Sequence, residues 1–136
     1  MSETVSNRQN MSALVVDDAR AIRSILKRLL AEIGFENIYE AEDGQKGLDA
    51  LNEHGRVDLV LADWNMPEMN GLEMVRSIRA QEDMRDMTIM MVTTESEYEK
   101  IVRALAAGAN EYVMKPFTKE VIVEKLELLG LLPGGS

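Results

Sequence analysis

Charged and polar residues stand at the ends of several apolar runs. The run SALVV ends on Asp17 and Asp18, and the run VDLVLA ends on Asp63. Thr93 closes the run DMTIMMVT, and Lys115 closes the run EYVMK. Short apolar runs of this kind are typical of buried β-strands, whose carboxyl ends share one rim in a parallel sheet. If these strands lie side by side, three carboxylates, a hydroxyl and an ammonium converge on that rim.

Such a group of side chains suits phosphoryl transfer. Neighbouring carboxylates raise each other's pKa unless a cation lies among them, and oxygen ligands in a wet crevice suit Mg²⁺. A carboxylate is also a competent nucleophile toward phosphorus. The transfer needs alignment and positive charge around the phosphoryl oxygens, which Mg²⁺ and Lys115 would supply. The hydroxyl of Thr93 could donate a hydrogen bond to one of those oxygens.

Each of these residues also has a plainer interpretation. Asp17 and Asp18 could cap the helix that follows them, and Asp63 could form a turn. Thr93 alone is an ordinary β-branched strand residue, and Lys115 alone is a solvated surface charge. The chemical interpretation is favoured because separate strands deliver these groups to the same rim.

Other phosphate and metal motifs do not fit the sequence. No Gly-rich loop follows the first strand, in VVDDARAIR, which excludes dinucleotide and P-loop sites. DWNMPE begins like a calcium loop, but Glu68 occupies the position where that loop needs glycine. His54 is interpreted as a helix C-terminal residue rather than a phosphoryl carrier. Trp64, directly after Asp63, is expected to be half-buried in its loop.

The apolar pattern predicts an alternation of strands and helices. Strands are predicted over 12–16, 35–41, 57–62, 86–93 and 111–115. Helices are predicted over 20–34, 43–55, 71–80, 97–108 and 118–130. This alternation predicts right-handed βαβ units and a mostly parallel α/β sheet with helices on both faces. One domain is expected over 12–130, between an N-terminal tail (1–11) and a C-terminal tail (131–136).

The composition narrows the class of partner. With 136 residues and a net charge of −9, the chain fits one acidic domain, and this charge disfavours nucleic acid as a partner. The sequence has no cysteine, no segment with the character of a membrane helix and no signal-peptide core at its N-terminus. A cytoplasmic protein without membrane contact is expected.

The motifs VVDD, LADWNMPEMNGLEMVRSIR, MMVTT and EYVMKPF together resemble those of a response-regulator receiver domain. The resemblance spans about residues 12–130 and is closest to the single-domain chemotaxis (CheY-like) type, notably through DWNMP. It implies a flavodoxin-like (βα)5 fold, a doubly wound five-stranded parallel sheet with the strand order 2-1-3-4-5 that is typical of that family.

The resemblance also implies a role for each residue on the rim. Asp63 would be the phosphoacceptor. Asp18 and Asp63 would bind Mg²⁺ directly, together with the backbone carbonyl of Asn65, and Asp17 would assist through water. Lys115 would pair with the phosphoryl group.

Further residues would act in switching and resetting the domain. Thr93 and Tyr112 would form the switch, because Thr93 moves toward the phosphoryl group and Tyr112 rotates into the space it leaves. Asn65 and Glu95 would tune the rate of dephosphorylation. The Lys115–Pro116 peptide bond would be cis.

The function implied is a phosphorylation-dependent signalling switch that works as a monomer. A sensor histidine kinase or histidine phosphotransfer protein would donate the phosphoryl group. A target, such as the flagellar motor switch, would bind the face formed by 97–107, 111–115 and 118–129. The alternative is a stand-alone phosphorelay intermediate or phosphate sink without motor contact. A turnover phosphohydrolase is disfavoured, because that class needs a second aspartate where this chain has Asn65.

Overall fold

The computed structural model describes residues 11–64, 70–93 and 98–132, with the backbone alone at Thr93, Tyr98 and Lys100. The strands are β1 (Ser12–Val16), β2 (Asn37–Ala41), β3 (Leu59–Asp63), β4 (Thr88–Thr93) and β5 (Glu111–Met114). The helices are α1 (Arg20–Ile33), α2 (Gly44–His54), α3 (Gly71–Ala80), α4 (Tyr98–Ala107) and α5 (Lys119–Leu128). A short 3₁₀ helix, Glu82–Met84, lies between α3 and β4.

The strands form one parallel sheet in the order β2-β1-β3-β4-β5, which confirms the predicted α/β fold. Val16, at the end of β1, lies opposite Ala41 of β2 on one side and Ala62 of β3 on the other. The chain therefore winds outward from β1 to β2 and then returns to β3. In open α/β sheets the ligand crevice lies at the carboxyl ends of the strands flanking such a reversal.

The sheet separates two hydrophobic cores because successive strand residues point to opposite faces. The face covered by α2, α3 and α4 buries these strand residues: Leu14, Val16, Val60, Ala62, Ile89 and Met91. The face covered by α1 and α5 buries these strand residues: Ala13, Val15, Leu59, Leu61, Met90 and Val92. The three central strands are thus apolar on both faces, which explains their continuous apolar runs.

The strand boundaries differ from the prediction where an apolar residue packs without pairing in the sheet. β2 begins at Asn37 rather than at 35, because Phe35 closes α1. The Phe35 N–H donates to the Leu30 carbonyl (2.9 Å), and the ring is buried in the second core. β3 begins at Leu59 rather than at 57, because the N–H of Val57 donates to Met87 Sδ (3.4 Å).

The domain margins also carry more packing than the sequence predicted. Met11, placed in the N-terminal tail, is 7% exposed and belongs to the second core. Its carbonyl accepts from the N–H of Glu36 (3.0 Å). Leu131 and Leu132, placed in the C-terminal tail, pack against the same core.

Candidate functional site: an acidic rim

Three aspartates meet at the carboxyl ends of the neighbouring strands β1 and β3, as predicted. Asp17 and Asp63 each lie one residue beyond the paired residues Val16 and Ala62. Asp17, Asp18 and Asp63 each offer a carboxylate oxygen, and these oxygens lie within 4.8 Å of one another. Asp17 and Asp63 are buried, whereas Asp18 is exposed. The cluster therefore has a buried floor and one carboxylate at its mouth.

Lys115 brings a positive charge to this cluster from the far side of β4. It follows β5, and its Nζ donates to Asp17 Oδ2 at 3.1 Å. The same Nζ lies 3.7 Å from Asp63 Oδ1. The peptide bond that follows it, Lys115–Pro116, is cis, as the resemblance implied.

The electrostatics of the cluster favour a bound cation. Burial raises the pKa of Asp63 to about 6, and the carboxylates of Asp17 and Asp18 add to this effect. Lys115 opposes the rise in pKa. When ionised, the three carboxylates and one ammonium have a net charge of −2, which the two positive charges of Mg²⁺ would balance. These oxygen ligands at a solvent-open rim therefore fit Mg²⁺ by number, type and charge.

The segment around Asp63 is held by backbone contacts. The Trp64 N–H donates to Asp63 Oδ1 (2.9 Å), and the Gly71 N–H donates to the Trp64 carbonyl (3.0 Å). A side chain on Gly71 would collide with the Asp63 carbonyl oxygen and lie 2.6 Å from Met91 Cε, so glycine is required by close approach. Trp64 is 8% exposed and belongs to the first core, so it is buried rather than half-buried.

The start of α1 does not use the aspartates as simple helix caps. The N-cap residue is Ala19, whose side chain makes no capping hydrogen bond. Asp17 Oδ1 instead accepts from the Ala19 N–H (2.8 Å), which bends the chain between β1 and α1. This turn leaves the Asp18 side chain exposed at the mouth of the cluster.

The second strand is linked to the acidic cluster through Arg23, a contact that was not predicted from the sequence. Glu40 of β2 accepts from Arg23 Nε and from Lys27 Nζ, both at 2.8 Å. The hydrogen bonds from Lys27, which has the larger effect, and from Arg23 hold the pKa of Glu40 below its usual range. Arg23 Nη1 also donates to the Asp17 carbonyl (2.7 Å). The helical spacing of Arg23 and Lys27 one turn apart is the only signal in the sequence for a shared acceptor.

Tyr112 of β5 lies beside a charged pair. Its ring is partly buried against the first core, and Lys125 Nζ lies 5.0 Å from the ring centroid. Glu111 Oε1 accepts from Lys125 Nζ (3.1 Å) and from the Tyr112 N–H (3.0 Å). The tyrosine is thus covered by a cation that an adjacent carboxylate holds in place.

Three predicted site residues lie partly or wholly outside the described part of the chain. The backbone of Thr93 ends β4 opposite Met114, but its side chain is not among the described ones. Asn65 and Glu95 lie outside the described residues. Their roles therefore stay predictions. His54, by contrast, ends α2 as predicted and stacks on Tyr39, with ring centroids 4.0 Å apart.

The fold and the acidic rim define a receiver domain, and comparison with known proteins agrees. A sequence profile of the response regulator receiver domain matches residues 13–127. The chain belongs to the response regulator receiver family. It is a two-component signalling protein related to the CheY chemotaxis regulators.

The similarity to individual chemotaxis proteins extends over most of the chain. A chemotaxis protein CheY homolog of Campylobacter jejuni is 47% identical over 117 residues, covering 86% of this chain and 90% of that protein. The chemotaxis protein CheY of Pseudomonas aeruginosa is 44% identical over 117 residues, covering 86% of this chain and 94% of that protein. The similarity therefore covers most of the domain rather than the acidic rim alone.

Solved structures show the same fold. Chemotaxis protein CheY4 of Vibrio cholerae superposes with a TM-score of 0.81 at 32% identity, over 90% of this chain and 99% of that one. A receiver domain of a sensor histidine kinase from Pseudomonas aeruginosa gives a TM-score of 0.79 at 27% identity, over 88% of this chain and 96% of that one. That structure has a magnesium ion coordinated in its active-site cleft.

Within residues 11–64, 70–93 and 98–132, no helix is long and apolar enough to cross a membrane. The cytoplasmic location expected from the sequence stays a prediction.

Proposed function

We propose that this protein is a signalling switch in which Asp63 accepts a phosphoryl group from a phosphohistidine. The observation that carries the proposal is the geometry of the rim. A buried carboxylate on the central strand lies 3.7 Å from an ammonium and within 4.8 Å of two further carboxylates. Phosphoryl transfer requires such an arrangement of a fixed nucleophile and surrounding charge.

In the proposed reaction the bond between phosphorus and the donor histidine breaks as a bond to an Asp63 oxygen forms. The histidine keeps the bonding electrons. Asp63 is poised for this step because the Trp64 N–H fixes the plane of its carboxylate. Its pKa of about 6 leaves it largely ionised, and therefore nucleophilic, at neutral pH.

Asp18, Asp63 and the backbone carbonyl of Asn65 would bind Mg²⁺ directly, and Asp17 would assist through water. When bound, Mg²⁺ supplies positive charge to the phosphoryl oxygens. Lys115 supplies a second positive charge, since its Nζ already lies between Asp17 and Asp63. We also propose that Asn65 and Glu95 set the rate at which water removes the phosphoryl group.

We propose that phosphorylation moves Thr93 and Tyr112, and that these movements alter a binding surface on α4, β5 and α5. Each of these three elements exposes at least one large apolar side chain. Val102 and Leu105 of α4 are 42% and 43% exposed, Met114 of β5 is 38% exposed and Val121 of α5 is 36% exposed. Exposed apolar residues on neighbouring elements are typical of protein interaction sites when they form one patch.

The chemotaxis names of the relatives support a target at the flagellar motor switch. A pull-down from native cells, with and without acetyl phosphate, tests this target. Enrichment of a motor component that depends on acetyl phosphate is expected with wild-type protein and not with Asp63→Asn. Enrichment of a histidine phosphotransfer protein alone would instead favour the relay function.

The phosphoacceptor is tested by Mg²⁺-dependent labelling with radioactive acetyl phosphate. Wild-type protein should be labelled and Asp63→Asn should not. Asp58→Asn is the matched control, because Asp58 precedes the same strand at the opposite rim, where it accepts from the Ser12 N–H (2.9 Å). Label that persists on Asp63→Asn would contradict the proposal.

A further inference from the structure

Arg23 connects an edge strand to the backbone of the acidic cluster. Its Nε donates to Glu40 Oε1 at 2.8 Å, and its Nη1 donates to the carbonyl of Asp17 at 2.7 Å. The Arg23 side chain is 15% exposed, whereas the side chain of its acceptor Glu40 is 41% exposed. A guanidinium can bind two acceptors at once in a fixed plane, which an ammonium cannot do.

The Arg23 contact completes the hydrogen bonding of Asp17. The Asp17 N–H donates to the Ala41 carbonyl (3.1 Å), which extends the pairing of β1 with β2. Its Oδ1 accepts from the Ala19 N–H and its Oδ2 from Lys115 Nζ. The remaining backbone acceptor, the carbonyl, is the group that Arg23 binds.

That carbonyl belongs to the peptide bond between Asp17 and Asp18. The peptide group is planar, so a hydrogen bond to its oxygen fixes the plane in which the Asp18 nitrogen and Cα lie. Asp18 is the exposed member of the cluster, and no side-chain hydrogen bond within the described residues holds its carboxylate. The backbone of Asp18 therefore sets the direction in which this side chain leaves the chain toward the cluster.

We propose that Arg23 is a positioning residue for the cation site, oriented by Glu40, and that it acts by fixing the peptide plane that presents Asp18. This inference rests on the proposed function, in which Asp18 binds Mg²⁺ directly. Groups that orient metal ligands in other proteins typically contribute about tenfold to a hundredfold in metal affinity. A positioning role strengthens Mg²⁺ binding. The positive charge of Arg23 alone would have the opposite effect, because a nearby positive charge weakens the binding of a cation.

The test is Mg²⁺ titration of the unphosphorylated protein, followed by the fluorescence of Trp64, the chain's one tryptophan, and by calorimetry. Arg23→Met removes both the charge and the fork, and Arg23→Lys keeps the charge but removes the fork. Lys27→Met is the matched control. Lys27 lies one turn further along α1 and binds the other oxygen of the same Glu40, at 2.8 Å.

We expect both Arg23 variants to bind Mg²⁺ about tenfold more weakly than wild type. Lys27→Met should bind it equally or slightly more tightly, since it removes a positive charge and one partner of Glu40 but leaves both Arg23 hydrogen bonds in place. Circular dichroism melts without Mg²⁺ verify that each variant is folded. If Arg23→Met does not fold, the comparison of Arg23→Lys with Lys27→Met carries the same test.

Affinity that is unchanged or increased in Arg23→Lys would overturn the inference while leaving the proposed function intact. Equal weakening in Lys27→Met would overturn it as well, because that variant keeps both Arg23 hydrogen bonds and the effect would then not come from the contact between Arg23 and the Asp17 carbonyl. Wild-type protein that binds no Mg²⁺ would instead contradict the proposed function itself. These outcomes separate the positioning role from the existence of the site.

Discussion

Lys115 donates to Asp17 at 3.1 Å and lies farther, 3.7 Å, from Asp63, although 98 residues separate Lys115 from Asp17 along the chain. In the unphosphorylated protein the ammonium is thus bound to the carboxylate that is not proposed to react. A phosphoryl group on Asp63 would offer Lys115 stronger acceptors nearby. The short move from Asp17 toward Asp63 would then accompany phosphorylation.

Lys115→Met should raise the pKa of Asp63 above its value of about 6, because the opposing positive charge is removed. It should also strengthen Mg²⁺ binding roughly threefold to tenfold, since the ammonium no longer competes with the cation. NMR titration of the Asp63 carboxyl carbon measures the first effect, and calorimetry measures the second. A pKa that stays at about 6 would show that Lys115 does not interact with Asp63.

Asp63→Asn should stabilise the protein above pH 6. The folded protein binds the Asp63 proton more tightly than the unfolded chain does, because the pKa is about 6 rather than the usual 3.8. Ionisation of Asp63 therefore costs stability as pH rises from about 4 to about 6, and the full cost remains above that range. The asparagine removes this cost, on the order of 1–2 kcal/mol once solvent screening is allowed for.

Thermal melts of the two proteins from pH 4 to pH 8 without Mg²⁺ measure this difference. The advantage of Asp63→Asn should grow through this range up to about pH 6 and then level off. Addition of Mg²⁺ should reduce it, because bound cation stabilises the wild-type folded state by mass action. An advantage that is constant across the whole pH range would contradict the raised pKa.

Gly71→Ala should destabilise the protein by about 1–3 kcal/mol, as overpacking commonly does. The added methyl group would overlap the Asp63 carbonyl oxygen and crowd Met91 Cε, so the backbone at the proposed phosphoacceptor must shift. Urea unfolding measures the loss of stability, and labelling by acetyl phosphate measures the effect on the site. Wild-type stability in this variant would show that the backbone here has room to adjust.

Lys125→Met should make the orientation of the Tyr112 ring less fixed in the unphosphorylated protein. It removes a cation placed 5.0 Å from the ring centroid, a contact worth about 0.5–1 kcal/mol. The minor orientation of the ring should therefore become roughly twofold to fivefold more populated. Aromatic NMR relaxation dispersion of Tyr112 measures this population. Lys119→Met is the control, because Lys119 on the same helix pairs with Glu32 (3.4 Å) and not with the ring.

The main site could be predicted because its residues follow apolar strands. The rule that ligands bind at the carboxyl ends of parallel strands placed Asp17, Asp63 and Lys115 on the same rim of the sheet. The strand order came from the resemblance, since periodicity alone does not say which strands are neighbours. The burial of Trp64 was missed because loop residues carry no periodic signal.

The contribution of β2 could not be predicted for a different reason. Glu40 is an exposed residue on an edge strand, and its pairing with Arg23 depends on the register that places it opposite Val15. A one-residue change of register would turn its side chain to the other face of the sheet. No local pattern in the sequence specifies that register.

The role of Asp63 is best tested by locating the phosphoryl group. Wild-type protein is incubated with acetyl phosphate and Mg²⁺, and the product is analysed by intact-protein mass spectrometry and peptide mapping. We expect the added mass of one phosphoryl group, dependent on Mg²⁺ and confined to the peptide that contains Asp63. A phosphoryl group found on another residue, or none under conditions in which the protein is folded and Mg²⁺ is bound, would contradict the role proposed for Asp63.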